Sequence, residues 1–355
     1  EWRFNPREQS YDAAIRADSF PLNSFLPADS LGIVDLALQA RGTGFDPLLP
    51  RTRTSLRAQI GRAEFGGRDF GGIELDAELD SQRLSGRISD RDEALRLLLS
   101  VSGTLTEREQ RIGLSGSVFG FDLAALGVSP EPIGGSFALD ASASAAGKGA
   151  YAARIALDSI EIRNKHRTDR IRPTSVSLHT DSAATRAEAA SGDLSLTFST
   201  PQSADSLIAA LTRSARTLAG QIDAQSIDME QLKPALPDFA LRVSAGPDNI
   251  LNSLLKSRKI AFDALNAEGA NCDSLPVSIR LRTEGLAYGN VVLDTVTADI
   301  RQNGKRLEYA LGLANAPENL DNIARAGLYG HLVRNTGQAN LYQRNRAGRE
   351  GFRFG

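Results

Sequence analysis

Cysteine occurs once, as Cys272, so no disulfide can form within the chain and a disulfide scaffold is excluded. That single thiol does not fix the redox compartment. Histidine occurs three times, at His166, His179 and His331, with no metal-ligand spacing among them or to Cys272. Aromatics make up only 6% of the 355 residues, too few for a core built on large rings. No apolar run approaches the roughly 20 residues of a membrane-spanning helix, and no signal peptide opens the chain. Net charge is only -2, so no global field recruits nucleic acid or anionic lipid. The chain begins at Glu1 without an initiator methionine, and Phe352 and Phe354 look like a strand about to continue. It reads as a piece cut from a longer protein.

What the chain does have is alternation. From Ile73 to Asp80, apolar and acidic residues alternate without a break. A strand turns successive side chains to opposite faces, so Ile73, Leu75, Ala77 and Leu79 share one face and Glu74, Asp76, Glu78 and Asp80 the other. A helical period would mix the two sets. Leu84, Gly86 and Ile88 answer across a short polar turn, predicting a hairpin. The same pattern recurs at Val34, Leu36 and Leu38, at Leu56 and Ile60, and at Leu114 and Val118. It continues at Leu139, at Ile155 and Leu157, and at Leu194 and Leu196. The 32 glycines punctuate these runs, and the pairs Gly66-Gly67, Gly71-Gly72 and Gly134-Gly135 read as turns, none with phosphate-loop spacing. Residues 1–30 read as an irregular opening with a short helical turn near 25–30, and residues 90–99 are ambiguous between helix and strand. Asp122 to Gly127 reads as one helical turn, capped by Asp122 and stopped by Gly127.

After Pro201 the period changes. Ser203 is placed to cap a helix whose Leu207, Leu211, Ala215 and Leu218 form one stripe. Met229–Leu232 reads as a shorter helical piece, 239–243 as a brief strand, and Pro247–Lys256 as a third helix with Ile250, Leu251, Leu254 and Leu255 on one side. Alternation returns with Ile279 and Leu281, then Val296 and Ile300, then Leu307, Tyr309 and Leu311. Asn303-Gly304 between the last two runs predicts a two-residue turn that sets Ile300 opposite Leu307 and Ala298 opposite Tyr309. Glu318–Ala326 reads as a short helix before the final strands. The expected fold is therefore mainly β: a long curled antiparallel sheet, groove- or solenoid-like, with a short helical insertion. The expected divisions are a first part of the sheet at 1–200, the helical insertion with its strand at 201–259, and a second part at 260–355.

Catalytic chemistry finds no purchase. Cys272 reads as a bystander thiol in a 268–273 loop, with no histidine nearby in sequence to act as a base. The acidic row Glu74–Asp80 would offer calcium carboxylates about 6.6 Å apart, too wide to grip one ion without a neighbouring strand. A solvated strand face is the favoured reading. Arg344, Arg346, Arg349 and Arg353 make the tail basic, but the sparse aromatics favour a solvated edge over a nucleic-acid patch. No catalytic residue, metal or cofactor is expected.

An antiparallel sheet with one apolar face must cover it. Two sheets packed together and one curled sheet wrapping its own apolar face both satisfy that need. Several stretches then resemble a known family: Leu26–Gly32, Phe121–Val128, Ser191–Phe198, and Leu236–Val243 before an amphipathic helix. With the short alternating strands around them, they resemble the middle of a TamB-type protein of the AsmA-like superfamily, in its Bacteroidetes-like form. That resemblance implies an inner-membrane anchor at the N-terminus, absent from this segment, and a periplasmic β-taco. It also implies an apolar interior carrying phospholipid acyl chains toward the outer membrane, and an Omp85-type β-barrel partner. The expectation is a non-enzymatic lipid-conducting groove with no nucleic-acid partner, lined by the residues of the alternating runs: Val34, Leu36, Leu38, Leu56, Ile60, Ile73, Leu75, Leu79, Leu114, Val118, Leu139, Ile155, Leu157, Leu194, Leu196, Ile279, Leu281, Val296, Ile300, Leu307, Tyr309 and Leu311. Its rivals are a structural or adhesin-like β-solenoid with a dry core, and a chaperone-like module for outer-membrane protein assembly.

Overall fold

A computed structural model describes residues 2–5, 9–21, 31–65, 68–147, 149–165, 167–256, 258–272, 275–316 and 323–355. The chain is mainly β: one long antiparallel sheet of 24 strands that is not closed, with three short helices. None of the described helices is long and apolar enough to cross a membrane. The chain divides into two compact units, Glu1–Ser175 and Val176–Gly355.

The first unit holds β1 (Trp2–Asn5), β2 (Ser10–Pro21), β3 (Leu31–Thr43), β4 (Arg53–Phe65), β5 (Arg68–Phe70), β6 (Ile73–Asp80), β7 (Arg83–Arg91), β8 (Leu95–Leu105), β9 (Glu109–Asp122), β10 (Gly134–Ala146), β11 (Ala150–Arg163) and β12 (Thr168–Ile171). Apart from the short β5, each strand from β1 to β11 pairs with its neighbour in sequence, as a meander requires. The β6–β7 hairpin forms as its pattern predicts, with Leu79 opposite Leu84 and Leu75 opposite Ile88. Ser81 and Gln82, both at positive φ, make its two-residue turn.

Three readings in this unit are revised. Trp2–Asn5 and Ser10–Pro21 are strands rather than parts of an irregular opening, because β2 finds pairing partners on both sides. The helical turn expected near 25–30 lies outside the described residues. In the ambiguous 90–99 stretch, residues 90–91 end β7 and 95–99 open β8, settled as strand by their pairing, with a bend at 92–94 between them. Gly134-Gly135 opens β10 rather than forming a turn, since both residues pair with β9 and β11. Asp122 does cap a single turn, its carboxylate accepting from the Ala124 and Ala125 N–H groups at 2.8 and 3.2 Å.

Strand β13 (Thr174–Thr180) leads into the second unit, which contains β14 (Thr185–Ser191), β15 (Leu194–Thr200), α1 (Ala204–Asp223), α2 (Met229–Ala235), β16 (Phe239–Ala245), α3 (Ile250–Lys256), β17 (Ile260–Ala261), β18 (Ala264–Cys272), β19 (Leu275–Tyr288), β20 (Val291–Asn303), β21 (Arg306–Asn315), β22 (Ile323–Val333), β23 (Thr336–Asn345) and β24 (Glu350–Phe354). Ser203 caps α1, its hydroxyl accepting from the Ser206 N–H at 3.3 Å. All three helices fall within 201–259.

Here too the structure departs from the sequence pattern. Helix α3 starts at Ile250 rather than Pro247, because Asn249 is the cap: its side-chain oxygen accepts from the Asn252 N–H at 2.9 Å. Of the expected apolar side, Ile250, Leu251 and Leu255 are half-buried but Leu254 is exposed, and the fully buried residue is Asn252, which bonds the Phe262 N–H and carbonyl. Cys272 ends β18 instead of sitting in a loop. Ile323–Ala326 is strand, held by Leu313–Ala326 and Ala314–Arg325 pairing, and the rest of the helix expected at 318–326 lies outside the described residues. The β20–β21 turn is Gly304-Lys305, one residue later than predicted. Gly304 has φ +60° at the first central position, the type II′ arrangement. Ile300 therefore meets Tyr309, Ala298 meets Leu311 and Val296 meets Leu313. The shift moves each pairing by two residues, so every side chain keeps its face.

Candidate functional site

Cross-strand partners share a face, so the registers order the side chains into rows. In the first unit one row reads Ile15, Leu38, Ala58, Leu75, Ile88, Leu99, Gly116, Leu139 and Leu157. The next reads Ala13, Ala40, Leu56, Ala77, Gly86, Val101, Leu114, Ala141 and Ile155. Leu79 belongs to a third row with Leu84, and Ile73 to a fourth with Ile60 and Leu36. Val118 faces Leu97 and Phe137 farther along, and Val34 faces Phe20 and Ala63. No charged side chain interrupts the two long rows. At about 4.8 Å between strands, each row runs roughly 38 Å.

The second unit repeats the arrangement. One row reads Ala189, Leu196, Val243, Ala267, Leu281, Ala298, Leu311, Leu328, Leu341 and Phe354. Beside it run Ala187, Phe198, Leu241, Gly269, Ile279, Ile300, Tyr309, Gly330 and Ala339. Val296 and Leu313 belong to the row on one side of this band, and Leu307 and Leu332 to the row on the other; Leu194 lies two residues from Leu196 on the same face. Thus the structure brings the sequence-predicted residues into parallel rows within each unit. It also adds members that sequence reasoning passed over, such as Ile15, Leu99 and Val101. Leu99 was hidden in the run Leu97-Leu98-Leu99, where three leucines blur the period.

The opposite face is charged and paired. Arg57 meets Asp76 at 3.0 Å and Arg53 meets Asp80 at 2.9 Å, so arginines of β4 answer the acidic row of β6. In the second unit Arg242 meets Glu268 at 3.3 Å and Arg280 meets Asp299 at 3.6 Å. These pairs are solvent-exposed, where such contacts are worth at most about 1 kcal/mol each. They serve to keep this face wet and the other face apolar.

What covers the apolar rows decides what they can do. Leu79 and Leu99 are buried, yet Ile112, Ile155, Ile279 and Leu311 are each more than two-fifths exposed. The one compact apolar cluster of fully buried residues among those described is Met229, Leu232 and Val277, where α2 sits on the sheet. The chain exposes 22412 Å² in all. Two separate compact units, each half of 38.0 kDa, would expose only about 17,000 Å² together. Within the rows themselves, the partial exposure of Ile155, Ile279 and Leu311 shows an apolar face that is not fully covered.

Helix α2 marks one end of these rows in the second unit. Met229 and Leu232 pack on Val277, with Ile227, Leu236 and Leu307 around them. Glu230 reaches Lys305 at 3.0 Å and Arg334 at 3.6 Å, and Ile227 bridges to Arg334. Helix α1 turns its polar Ser214 and Gln221 inward, bonding the Ala235 carbonyl and the Asp228 backbone. Its apolar residues Leu211 and Leu218 consequently face out, the reverse of an ordinary amphipathic helix. No group of three or more histidine, cysteine or carboxylate side chains placed to hold a metal occurs among the described residues. No protein-family model, curated protein or solved structure matches the chain.

Proposed function

We propose that this chain is a segment of a periplasmic lipid-conducting groove, of the TamB type in the AsmA-like superfamily, and that its apolar rows hold phospholipid acyl chains. The observation that carries this reading is the pair of uninterrupted apolar rows in each unit, left partly exposed and backed by a charged face. An acyl chain laid along such a row gains roughly 0.8 kcal/mol per buried CH₂, while its head group stays at the open rim. The open sheet disfavours a dry-core solenoid, which closes its own apolar face. Small side chains in the rows, such as Ala58, Ala77, Ala141 and Ala298, leave room for a flexible hydrocarbon where large rings would fill it. The protein's part is passive: it presents an apolar path and makes or breaks no covalent bond. In the complete protein the reading places an inner-membrane anchor before this segment and an Omp85-type β-barrel as the outer-membrane partner.

The test is lipid occupancy. Mass spectrometry of the purified chain is expected to find co-purifying phospholipid, and a fluorescent fatty-acid probe to bind in detergent-free buffer. Leu75→Asp, in the middle of a row, is expected to lower probe binding at least tenfold while far-UV circular dichroism stays that of a sheet. A folded Leu75→Asp variant that binds the probe as the parent does would sink the reading.

A further inference from the structure

In the second unit, the exit turn of α3 lies against the β19–β20 hairpin. The Lys259 carbonyl accepts from the Gly289 N–H at 2.9 Å, Ile260 pairs with Tyr288, and Tyr288 pairs with Val291 across the Gly289-Asn290 turn. Three apolar and three cationic residues lie on the segments that meet at this junction. Leu254, Tyr288 and Val291 are 53%, 66% and 54% exposed, although nothing in a solvated hairpin tip requires apolar groups there. Lys256, Arg258 and Lys259 are exposed too, and among the described residues none of the three has an ion-pair partner. The segments 254–262 and 285–293 contain no acidic residue at all. Carboxylates enter only at Asp263, Glu284 and Asp294, where the strands leave the tip, and Glu284 is already held by Arg282 at 2.8 Å.

We propose that this tip is a docking surface for an anionic lipid bilayer. Cations draw it to phosphate-bearing head groups, while Tyr288, Val291 and Leu254 enter the interface. Charge complementarity selects the occupant: an uncompensated basic cluster fits an acidic surface and repels a second copy of itself. The inference stands apart from the lipid-groove reading, since the tip lies outside the apolar rows.

Vesicle flotation with the whole 355-residue chain tests it. Flotation is expected with vesicles of phosphatidylcholine mixed with phosphatidylglycerol, and not with phosphatidylcholine alone, and it is expected to weaken as salt is raised. The triple variant Lys256→Gln, Arg258→Gln, Lys259→Gln is expected to lower the partition about 100-fold. Tyr288→Ser with Val291→Ser is expected to abolish what binding survives at high salt. Arg344→Gln with Arg353→Gln, removing charge elsewhere in the same unit, is expected to leave flotation unchanged. All these positions are exposed, so circular dichroism should remain that of the parent. Equal flotation of the triple variant and the parent overturns the proposal, as does equal flotation with neutral vesicles. Tight binding to soluble polyglutamate without flotation would reassign the tip to an acidic protein and also overturn it. Fatty-acid probe binding is a separate readout: its absence in the parent chain, with flotation intact, would count against the groove alone.

Discussion

Asp193 ties the approach of α3 to the β14–β15 turn. Its carboxylate accepts from Asn249 Nδ2 at 2.6 Å and from the Asp248 N–H at 2.9 Å. Burial alone would raise its pKa, but those hydrogen bonds and others from the Gly246 and Asp193 backbone outweigh it, and the net shift is downward. The folded value therefore lies below the unfolded value of about 3.9. Its stabilisation is fully present above that pH and is lost as the pH falls through the folded value. Asp193→Asn is expected to cost about 1 kcal/mol at neutral pH, allowing for an exposed site. Urea melts should show the gap narrowing toward pH 3, and a gap independent of pH would reject the assignment. At this scale the sequence was easy to read where apolar and charged residues alternate cleanly, as from Ile73 to Asp80. It was opaque at Asn249, Asn252 and Asp193, whose roles rest on partners up to 56 residues away.

Among the elements, α2 is held by two kinds of contact with very different weights. Met229 is 2% exposed in the cluster with Leu232 and Val277, whereas the Glu230–Lys305 and Glu230–Arg334 pairs are largely solvated. Met229→Ala leaves a cavity and is expected to lower unfolding free energy by about 3 kcal/mol. Glu230→Gln is expected to cost under about 0.5 kcal/mol. Denaturant melts of both variants check the contrast, and equal losses would mean that the ion pairs, not the packing, hold the helix. The sequence announced the helices through Ser203 and the spacing of Leu207, Leu211 and Leu218, but not which way α1 faces. Hydrophobic periodicity presumes that the apolar stripe turns inward. Here Ser214 and Gln221 take that side because they satisfy backbone groups of the α1–α2 corner. The β20–β21 turn failed for a related reason: Asn303-Gly304 and Gly304-Lys305 both place glycine at an allowed turn position, and both keep Ile300 and Tyr309 on the same face.

Across the whole molecule, nearly every strand leans on its immediate neighbours, so stability is close to a sum of local terms. Gly116 shows how local. Its φ is +152°, and a Cβ there would run into the Leu98 carbonyl and the Leu99 Cα. Gly116→Ala is expected to cost about 3 kcal/mol. Hydrogen exchange is expected to lose protection in β8 to β10 and keep it in β19 to β23; a uniform loss would show a single cooperative unit instead. The mainly β class and the open antiparallel sheet were legible because the pattern repeats so often that single misreadings do not change it. Strand β2 escaped notice because Ala13, Ala14 and Ala17 fall on both faces and blur the contrast that Tyr11 and Ile15 otherwise provide. The row-by-row register also dictates which changes in gene length this chain can absorb. Duplicating or deleting a whole hairpin lengthens or shortens the apolar rows and returns every later strand to its proper face. Inserting a single codon inside a strand turns the rest of that strand over, sending its leucines to water and its arginines into the rows. Such a lineage is free to vary in reach by hairpin steps while remaining intolerant of single-residue slips within strands.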